Sequence, residues 1–160
     1  MSGTLATLPT SLRGWPDPKT NASERTQRMI KVLLVEDHPH VRRATRRLLN
    51  AAAGILVVGE AENGRQALSL VAELHPDVVV MDVVMPEMDG LEVTAQLCQS
   101  PGLQPRVLIY TLYATTLLVA DALAKGAAGF VAKRTAAQEL VDAVVAVSQG
   151  RRYLGAGALG

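Results

Sequence analysis

Residues 78–90 read VVVMDVVMPEMDG, a stretch in which a run of apolar residues ends in the carboxylate of Asp82. The first four residues, 78–81, are typical of a strand that is buried on both faces. The Asp89-Gly90 pair that follows has the form of a helix cap and turn. A charged group at the end of a buried run costs free energy unless it is paired or bound. Asp82 is therefore the first candidate functional residue of the chain.

Further apolar runs of the β type lie on both sides of this stretch, at 30–35, 55–59, 107–110 and 130–132. Segments with helical periodicity alternate with the runs, at 39–52, 65–74, 90–98, 115–124 and 136–149. Alternating strands and helices, with strands of continuous Val, Ile and Leu, indicate a parallel sheet covered on both faces. The pattern predicts an α/β fold, a right-handed doubly wound sheet of five parallel strands.

The buried faces of three helical segments can be predicted from the spacing of their apolar residues. These faces are Val41, Ala44, Leu48 and Leu49 in segment 39–52, Leu117, Leu118, Ala120 and Ala124 in segment 115–124, and Leu140, Ala143, Val144 and Val147 in segment 136–149. We expect each face to pack against the sheet.

The composition is that of a globular domain and argues against several classes of protein. The net charge of +1 gives no bulk field that would favour nucleic acid or a membrane surface. A single cysteine, Cys98, leaves no partner for an intrachain disulfide and fits a reducing compartment, so we expect a cytoplasmic protein. No apolar run approaches the roughly 20 residues that a membrane-spanning helix needs.

The chain divides into three parts by composition. Residues 1–28 are rich in Ser, Thr, Pro and Gly and have no periodicity, so we expect a disordered N-terminal extension. Residues 29–150 hold the predicted strands and helices and form the folded domain. Residues 151–160 are glycine-rich and are interpreted as a C-terminal tail or the start of a linker.

The candidate site residues are polar side chains that directly follow the first, third, fourth and fifth predicted strands. Ligands of open parallel sheets bind outside the carboxyl ends of the strands, so these residues are expected to converge. Glu36 and Asp37 follow the first run, and Asp82 follows the third. Thr111 follows the fourth run, and Lys133 follows the fifth. The predicted site therefore combines three carboxylates, one hydroxyl and one ammonium group.

Carboxylates held close together in a half-buried cleft repel one another, and a hard divalent cation relieves that repulsion. Mg²⁺ suits a site with a few carboxylates, waters and phosphate oxygens. We predict Asp37 and Asp82 as its ligands, with Glu36 close by and the backbone carbonyl of Val84 completing the site.

The same residues suggest phosphoryl chemistry. Asp82 would attack a phosphoryl group as a nucleophile and form an acyl phosphate, and the metal would neutralise the charge of the transferred group. Lys133 would pair with one phosphoryl oxygen, and Thr111 would donate a hydrogen bond to another.

Four motifs resemble the receiver domain of two-component response regulators over about 30–150: LLVEDHP at 33–39, VVVMDVVMPEMDG at 78–90, VLIYT at 107–111 and KGAAGFVAK at 125–133. The resemblance implies a (βα)5 flavodoxin-like receiver fold with strand order 2-1-3-4-5. The later VVAVSQGRRYLG resembles the NarL/FixJ-like subfamily, in which a helix-turn-helix output domain follows. We expect that domain to be absent from this chain, which would then not bind nucleic acid directly.

The resemblance also implies partners and a switch. A sensor histidine kinase or a phosphotransfer domain would donate the phosphoryl group to Asp82. Thr111 would then move toward it, and Phe130 would rotate inward, which changes the surface of the fourth helix, fifth strand and fifth helix. Homodimerisation on phosphorylation and control of transcription are further implications. The chain would be a phosphoacceptor that catalyses only its own phosphorylation and dephosphorylation, not a metabolic enzyme.

Two features depart from the family pattern. Arg134 follows Lys133 where proline is common, so we expect a trans peptide bond there, because a non-proline cis bond costs about 3 kcal/mol. Leu112 is larger than the residue often found after the switch threonine. These departures keep open the alternative of a pseudo-receiver that binds partners without phosphorylation.

Two further alternatives are weaker. A phosphatase of the haloacid dehalogenase type would need an acid two residues after the nucleophile, and that position holds Val84, which cannot transfer a proton. A dinucleotide-binding domain would need a glycine-rich turn after the first strand, and that turn holds Glu36 and Asp37.

Overall fold

One parallel sheet organises the residues that the computed structural model describes, 29–102 and 104–158. Its strands are β1 (Ile30–Val35), β2 (Ile55–Ala61), β3 (Val78–Met81), β4 (Arg106–Thr111), β5 (Gly129–Ala132) and β6 (Tyr153–Leu154). The order is β2-β1-β3-β4-β5-β6, and every neighbouring pair is parallel. The predicted order 2-1-3-4-5 is therefore confirmed. The predicted disordered extension, 1–28, lies outside the described residues.

Five helices connect the six strands, one between each strand and the next: α1 (Pro39–Ala51), α2 (Gly64–Leu74), α3 (Gly90–Gln99), α4 (Thr116–Ala124) and α5 (Ala137–Ser148). Three of them begin at a capping side chain that accepts a backbone N–H bond from inside the first turn, Asn63 for α2, Asp89 for α3 and Thr115 for α4. The interpretation of Asp89-Gly90 as a cap and turn is confirmed.

The two faces of the sheet carry separate apolar clusters. Leu33 and Val35 of β1 belong to the cluster that includes residues of α2, α3 and α4. Val32 and Leu34 belong to the cluster that includes residues of α1 and α5. Successive side chains of a strand point to opposite faces, so a strand buried on both sides must be apolar throughout. The doubly wound α/β fold is confirmed.

The predicted faces of the helices are confirmed for α5 and only in part for α1 and α4, where Leu48, Leu49 and Leu118 pack against the core as predicted. In α1, Val41 is 38 % exposed, whereas Thr45 and Leu49 are buried. The apolar pattern missed Thr45, whose hydroxyl donates to the carbonyl of Val41 at 2.8 Å and so allows a polar side chain to be buried. In α4, Leu117 is 83 % exposed and Val119 is buried.

The short strand β6 was not predicted. Tyr153 and Leu154 pair with Gly129 and Phe130 of β5, so part of the segment interpreted as a tail extends the sheet. A 3-10 helix, Ala156–Ala158, follows, and the N–H of Ala156 donates to Glu139 Oε1 at 2.9 Å. The five-stranded sheet of the prediction is thus a six-stranded one.

Within the described residues, every helix is too short or too polar to cross a bilayer.

Candidate functional site

The carboxyl ends of the strands are held together by backbone hydrogen bonds that continue past the strands themselves. The N–H of Asp82 donates to the carbonyl of Val35 at 3.0 Å, which joins the end of β3 to the end of β1. The N–H of Lys133 donates to the carbonyl of Thr111 at 2.8 Å, which joins the end of β5 to the end of β4. The predicted site residues are therefore carried by the sheet, not by free loops.

Lys133 links two of the three predicted carboxylates. Its Nζ donates to Glu36 Oε2 in a close ion pair and lies 3.3 Å from Asp82 Oδ2. Glu36 is 3 % exposed and Asp82 is 6 % exposed. Removing such charges from water costs several kcal/mol for each ion, and only a close counter-charge offsets that cost. The ammonium group of Lys133, whose side chain is 10 % exposed, is that counter-charge in this structure.

Tyr110 is a contact of Lys133 that sequence reasoning missed. The lysine Nζ lies 5.7 Å from the centre of the Tyr110 ring, within the range of a cation–π contact. Burial raises the pKa of the Tyr110 hydroxyl; the Lys133 charge opposes this shift and the Glu36 charge adds to it. Tyr110 pairs with Val131, two residues before Lys133, so strand alternation could have indicated a shared face.

A second cluster lies at the outer side of the site. Ligand atoms of Glu36, Asp37 and His38 all lie within 4.8 Å of one another. His38 Nδ1 is 3.1 Å from Asp37 Oδ1 and 3.3 Å from Glu36 Oε1, and its side chain is 69 % exposed. The structure thus brings Glu36 and Asp37 together as predicted, whereas Asp82 meets Glu36 through Lys133.

The donor set fits a hard divalent cation. Glu36, Asp37 and Asp82 carry three negative charges in one partly buried region, and Lys133 supplies one positive charge. Carboxylate oxygens are the ligands that Mg²⁺ prefers, with waters completing its shell. Asp82 Oδ1 accepts the N–H of Val83 at 2.8 Å, while Oδ2 faces Lys133. The loop of Val83 and Val84 therefore starts directly at this carboxylate.

Gly90 is a second residue that sequence reasoning did not assign to the site. Its N–H donates to the carbonyl of Val83 at 2.8 Å, which closes the loop after Asp82. A Cβ on Gly90 would lie 2.0 Å from the backbone oxygen of Asp82. Only glycine fits there, because that oxygen belongs to the backbone and cannot rotate away.

The predicted switch residues are both buried. Thr111 and Phe130 are 0 % exposed, and Phe130 packs in the cluster that contains β1 and α4 residues. The Thr111 hydroxyl accepts the N–H of Tyr113 at 3.4 Å. The peptide bond between Lys133 and Arg134 is trans, as predicted.

The rim of the site is apolar and open to solvent. Val84 is 54 % exposed, Leu112 is 51 % exposed and Tyr113 is 60 % exposed. Leu112 follows Thr111 directly, and Val84 and Tyr113 lie two residues after Asp82 and Thr111, so these exposed side chains flank the site residues along the chain.

Comparison with known proteins identifies the family. Residues 32–145 match the response regulator receiver domain. The transcriptional regulatory protein LiaR of Bacillus subtilis is 38 % identical over 79 % of this chain and 59 % of its own length. The response regulator UvrY of Escherichia coli is 40 % identical over 79 % of this chain and 57 % of its own length. The crystal structure of a LuxR-family two-component response regulator from Aurantimonas sp. matches with a TM-score of 0.78 and 37 % identity, over 82 % of this chain and 93 % of that one.

The chain belongs to the receiver domain family of two-component response regulators, and its relatives are of the NarL/LuxR type. Receiver domains of transcription-regulating response regulators are generally not classical enzymes. The flavodoxin-like fold and the membership of this family together argue against the two alternatives of a phosphatase and a dinucleotide-binding domain. The chain spans about three fifths of the length of the curated relatives that it matches.

Proposed function

We propose that this domain is a phosphorylation-controlled switch and that Asp82 is its phosphoacceptor. The observation that carries the proposal is the pairing of Lys133 with two buried carboxylates, Glu36 and Asp82, at the carboxyl edge of the sheet. A purely structural cluster would gain stability from an apolar replacement, since buried ion pairs are weak stabilisers. The free-energy cost of burying these charged groups is better explained by chemistry that needs their charges.

In the proposed reaction, an oxygen of Asp82 attacks the phosphorus of a phosphohistidine, the P–N bond breaks, and an acyl phosphate forms. A sensor histidine kinase or a phosphotransfer domain is the donor. Lys133 leaves Asp82 Oδ2 and pairs with a phosphoryl oxygen. The Thr111 hydroxyl exchanges its contact with the Tyr113 N–H for a bond to a second oxygen.

Mg²⁺ is the metal that we assign to the acidic residues. Asp37 and Asp82 would hold it, with Glu36 close by and the backbone carbonyl of Val84 as a further ligand. When bound, it supplies the positive charge that neutralises the transferred group.

The output of the switch is the surface of α4, β5 and α5. Phe130 occupies a buried position in this structure, and the switch consists of a change in the balance between this position and a more exposed one. The phosphoryl group favours the arrangement in which Thr111 contacts it, and Phe130 fills the adjoining space. We further propose a cytoplasmic location, homodimerisation on phosphorylation, and control of transcription through an output domain outside this chain.

Intact-mass measurement after incubation with acetyl phosphate and Mg²⁺ tests the proposal. We expect wild-type protein to gain the mass of one phosphoryl group, and Asp82→Asn to gain none. Asp89→Asn is the matched control: it removes a neighbouring carboxylate, but asparagine caps helices as well as aspartate does. That variant should be phosphorylated normally. A wild-type protein that gains no mass and binds no Mg²⁺ would instead be a pseudo-receiver.

The apolar rim is expected to protect the acyl phosphate from water. Val84→Asn together with Tyr113→Glu should speed dephosphorylation roughly tenfold, about 1.4 kcal/mol of barrier, because polar side chains admit and orient water at the mouth of the cleft. The decay of the phosphorylated mass in Mg²⁺ measures this rate. Val41→Asn, at an exposed apolar position on α1, is the control. An unchanged decay in the double variant would show that the rim has no shielding role.

A further inference from the structure

A cleft of about 540 Å³ lies at the amino-terminal edge of the sheet, opposite Asp82. Three arginines line it: Arg106, the first residue of β4, and Arg151 and Arg152, which lie between α5 and β6. Its small and apolar lining includes Pro105 and Ala128. We call this feature the arginine cleft.

The arginines of the cleft lack acidic partners among the described residues. None of the residues that line the cleft is acidic, and no described carboxylate forms an ion pair with the three guanidinium groups. Arg151 Nη2 donates to the neutral side-chain oxygen of Gln149 at 2.6 Å. By contrast, Arg46 of α1 pairs with Glu60 at 3.0 Å. Arg42 and Arg46 therefore have carboxylate partners. The three arginines of the cleft form no ion pair among the described residues, and the same is true of Arg43, Arg47, Arg65 and Arg134.

The end of helix α5 accounts for only part of this positive charge. A helix C-terminus carries roughly half a negative charge, which three arginines exceed. Its last carbonyls are also occupied already: that of Ala146 accepts the N–H groups of Gln149 and Arg151, and that of Val147 accepts the N–H of Gly150. The guanidinium groups are therefore not needed to satisfy them.

The three arginines surround one space. Arg106 Nη2 reaches over the turn after α5, where a Cβ on Gly150 would lie 3.5 Å from it. Gly150 has a φ of +83°, so this turn favours a residue without a side chain. Its neighbours in the chain, Arg151 and Arg152, line the same cleft. The volume lies within the range of small-molecule sites, roughly 300–1,000 Å³.

We propose that the arginine cleft binds a small phosphate-bearing anion. Guanidinium groups match phosphate oxygens with paired N–H donors and keep their charge at every physiological pH. The apolar lining at Pro105 and Ala128 offers a surface for an organic group attached to the phosphate. At the carboxyl edge of the sheet, the three carboxylates of Glu36, Asp37 and Asp82 outnumber the one ammonium group of Lys133. Without a metal, that edge would repel a phosphate-bearing anion. The inference does not depend on phosphorylation of Asp82.

Titration of the protein with pyrophosphate and, separately, with ADP tests the proposal and distinguishes a bare anion from an organic phosphate. Buffers of about 0.1 M ionic strength are freed of metal by a chelating resin, and the absence of metal keeps the acidic site from binding phosphate. We expect amide NMR shifts centred on Ala128, Gly150 and Arg152 with at least one of the two probes. The dissociation constant should rise about tenfold in Arg106→Gln/Arg152→Gln, since two charge-assisted contacts are lost.

The control is Arg43→Gln/Arg47→Gln, which makes the same change of net charge on exposed positions of α1. Its affinity should stay within about twofold of wild type, because charges beyond the roughly 10 Å screening length contribute little. If both double variants weaken binding of the probe equally, the effect comes from net charge alone and the proposal is overturned. So would shifts centred on Glu36 and Asp82, or no saturable shifts with either probe.

Cys98 offers an independent measurement, because it is the chain's single cysteine and lines this cleft. Burial raises the pKa of its thiol, so absolute rates of modification are slow. The ratio of its rates with a dianionic aromatic disulfide and a neutral dipyridyl disulfide cancels that effect. We expect the ratio to fall several-fold in Arg106→Gln/Arg152→Gln and on addition of pyrophosphate. A ratio that neither change alters would show that the cleft does not attract anions.

Discussion

Replacing Lys133 with methionine is expected to lower the free energy of unfolding by about 3 kcal/mol and to abolish phosphorylation of Asp82. Methionine keeps an unbranched apolar stem but removes the ammonium group that lies between Glu36 and Asp82. Two carboxylates with 3 % and 6 % exposure then face each other without a cation. Truncating one partner of a buried charge cluster costs more than the intact cluster contributes, because the remaining charges stay buried. Urea unfolding without metal measures the loss.

Lys125→Met is the matched control for this variant. Lys125 pairs with Asp121 at 2.6 Å across one turn of α4, but both side chains are well exposed, at 35 % and 49 %. Such pairs contribute only about 0.3–0.5 kcal/mol, so the control should lose little. Added Mg²⁺ should stabilise Lys133→Met more than wild type, since a divalent cation replaces the lost charge. Equal losses in both lysine variants would mean that Lys133 is not the counter-charge of a buried pair.

Gly90→Ala should destabilise the domain by about 3 kcal/mol or more and impair phosphorylation, although helix propensity alone predicts the opposite sign. Alanine is favoured over glycine within helices by up to about 1 kcal/mol. The added methyl group, however, would lie 2.0 Å from the backbone oxygen of Asp82 and 2.9 Å from Met81 Cγ. The start of α3 or the end of β3 must therefore move, and the Asp82 carboxylate moves with it.

Gly54→Ala separates this steric effect from the usual cost of replacing glycine. Gly54 has a φ of +82°, and no atom lies within 4 Å of the position that a Cβ would take there. Its replacement therefore strains only the local backbone, at about 1 kcal/mol. Thermal or urea unfolding of both variants, with mass analysis of phosphorylation, makes the comparison. If Gly90→Ala proves as stable as wild type, the close approach of α3 to the end of β3 is wrong.

The sheet could be predicted because its strands are continuous apolar runs in the sequence. Segment 78–81 is the clearest case, since β3 has those bounds. The two residues of β6 carry no such pattern, because their pairing depends on an edge formed by a strand some twenty residues earlier. The prediction of the α4 face failed in part, and for another reason: Leu117 and Val119 are equally apolar, so spacing alone cannot show which is covered.

The site followed from one rule, that strand ends of a parallel sheet share an edge. That rule brings Lys133 and Asp82 together, and the structure places their charged atoms 3.3 Å apart. Tyr110 and Gly90 could not be assigned in the same way. Tyr110 reaches Lys133 because of its register against β5. Gly90 is needed because a backbone oxygen leaves no space for a side chain. Neither property can be recognised from the type of the residue alone.

Strand β6 also affects how the domain behaves toward other chains. An uncovered edge strand offers unpaired N–H and C=O groups onto which a foreign strand can add, a common start of aggregation. β5 has four residues, and β6 covers two of them, Gly129 and Phe130. The N–H of Gly155 also donates to the carbonyl of Phe130, at 2.9 Å, which adds a hydrogen bond between β5 and the segment that follows β6. A shortened version that ends after α5 would present this edge bare, and would precipitate at concentrations at which the longer chain stays dispersed.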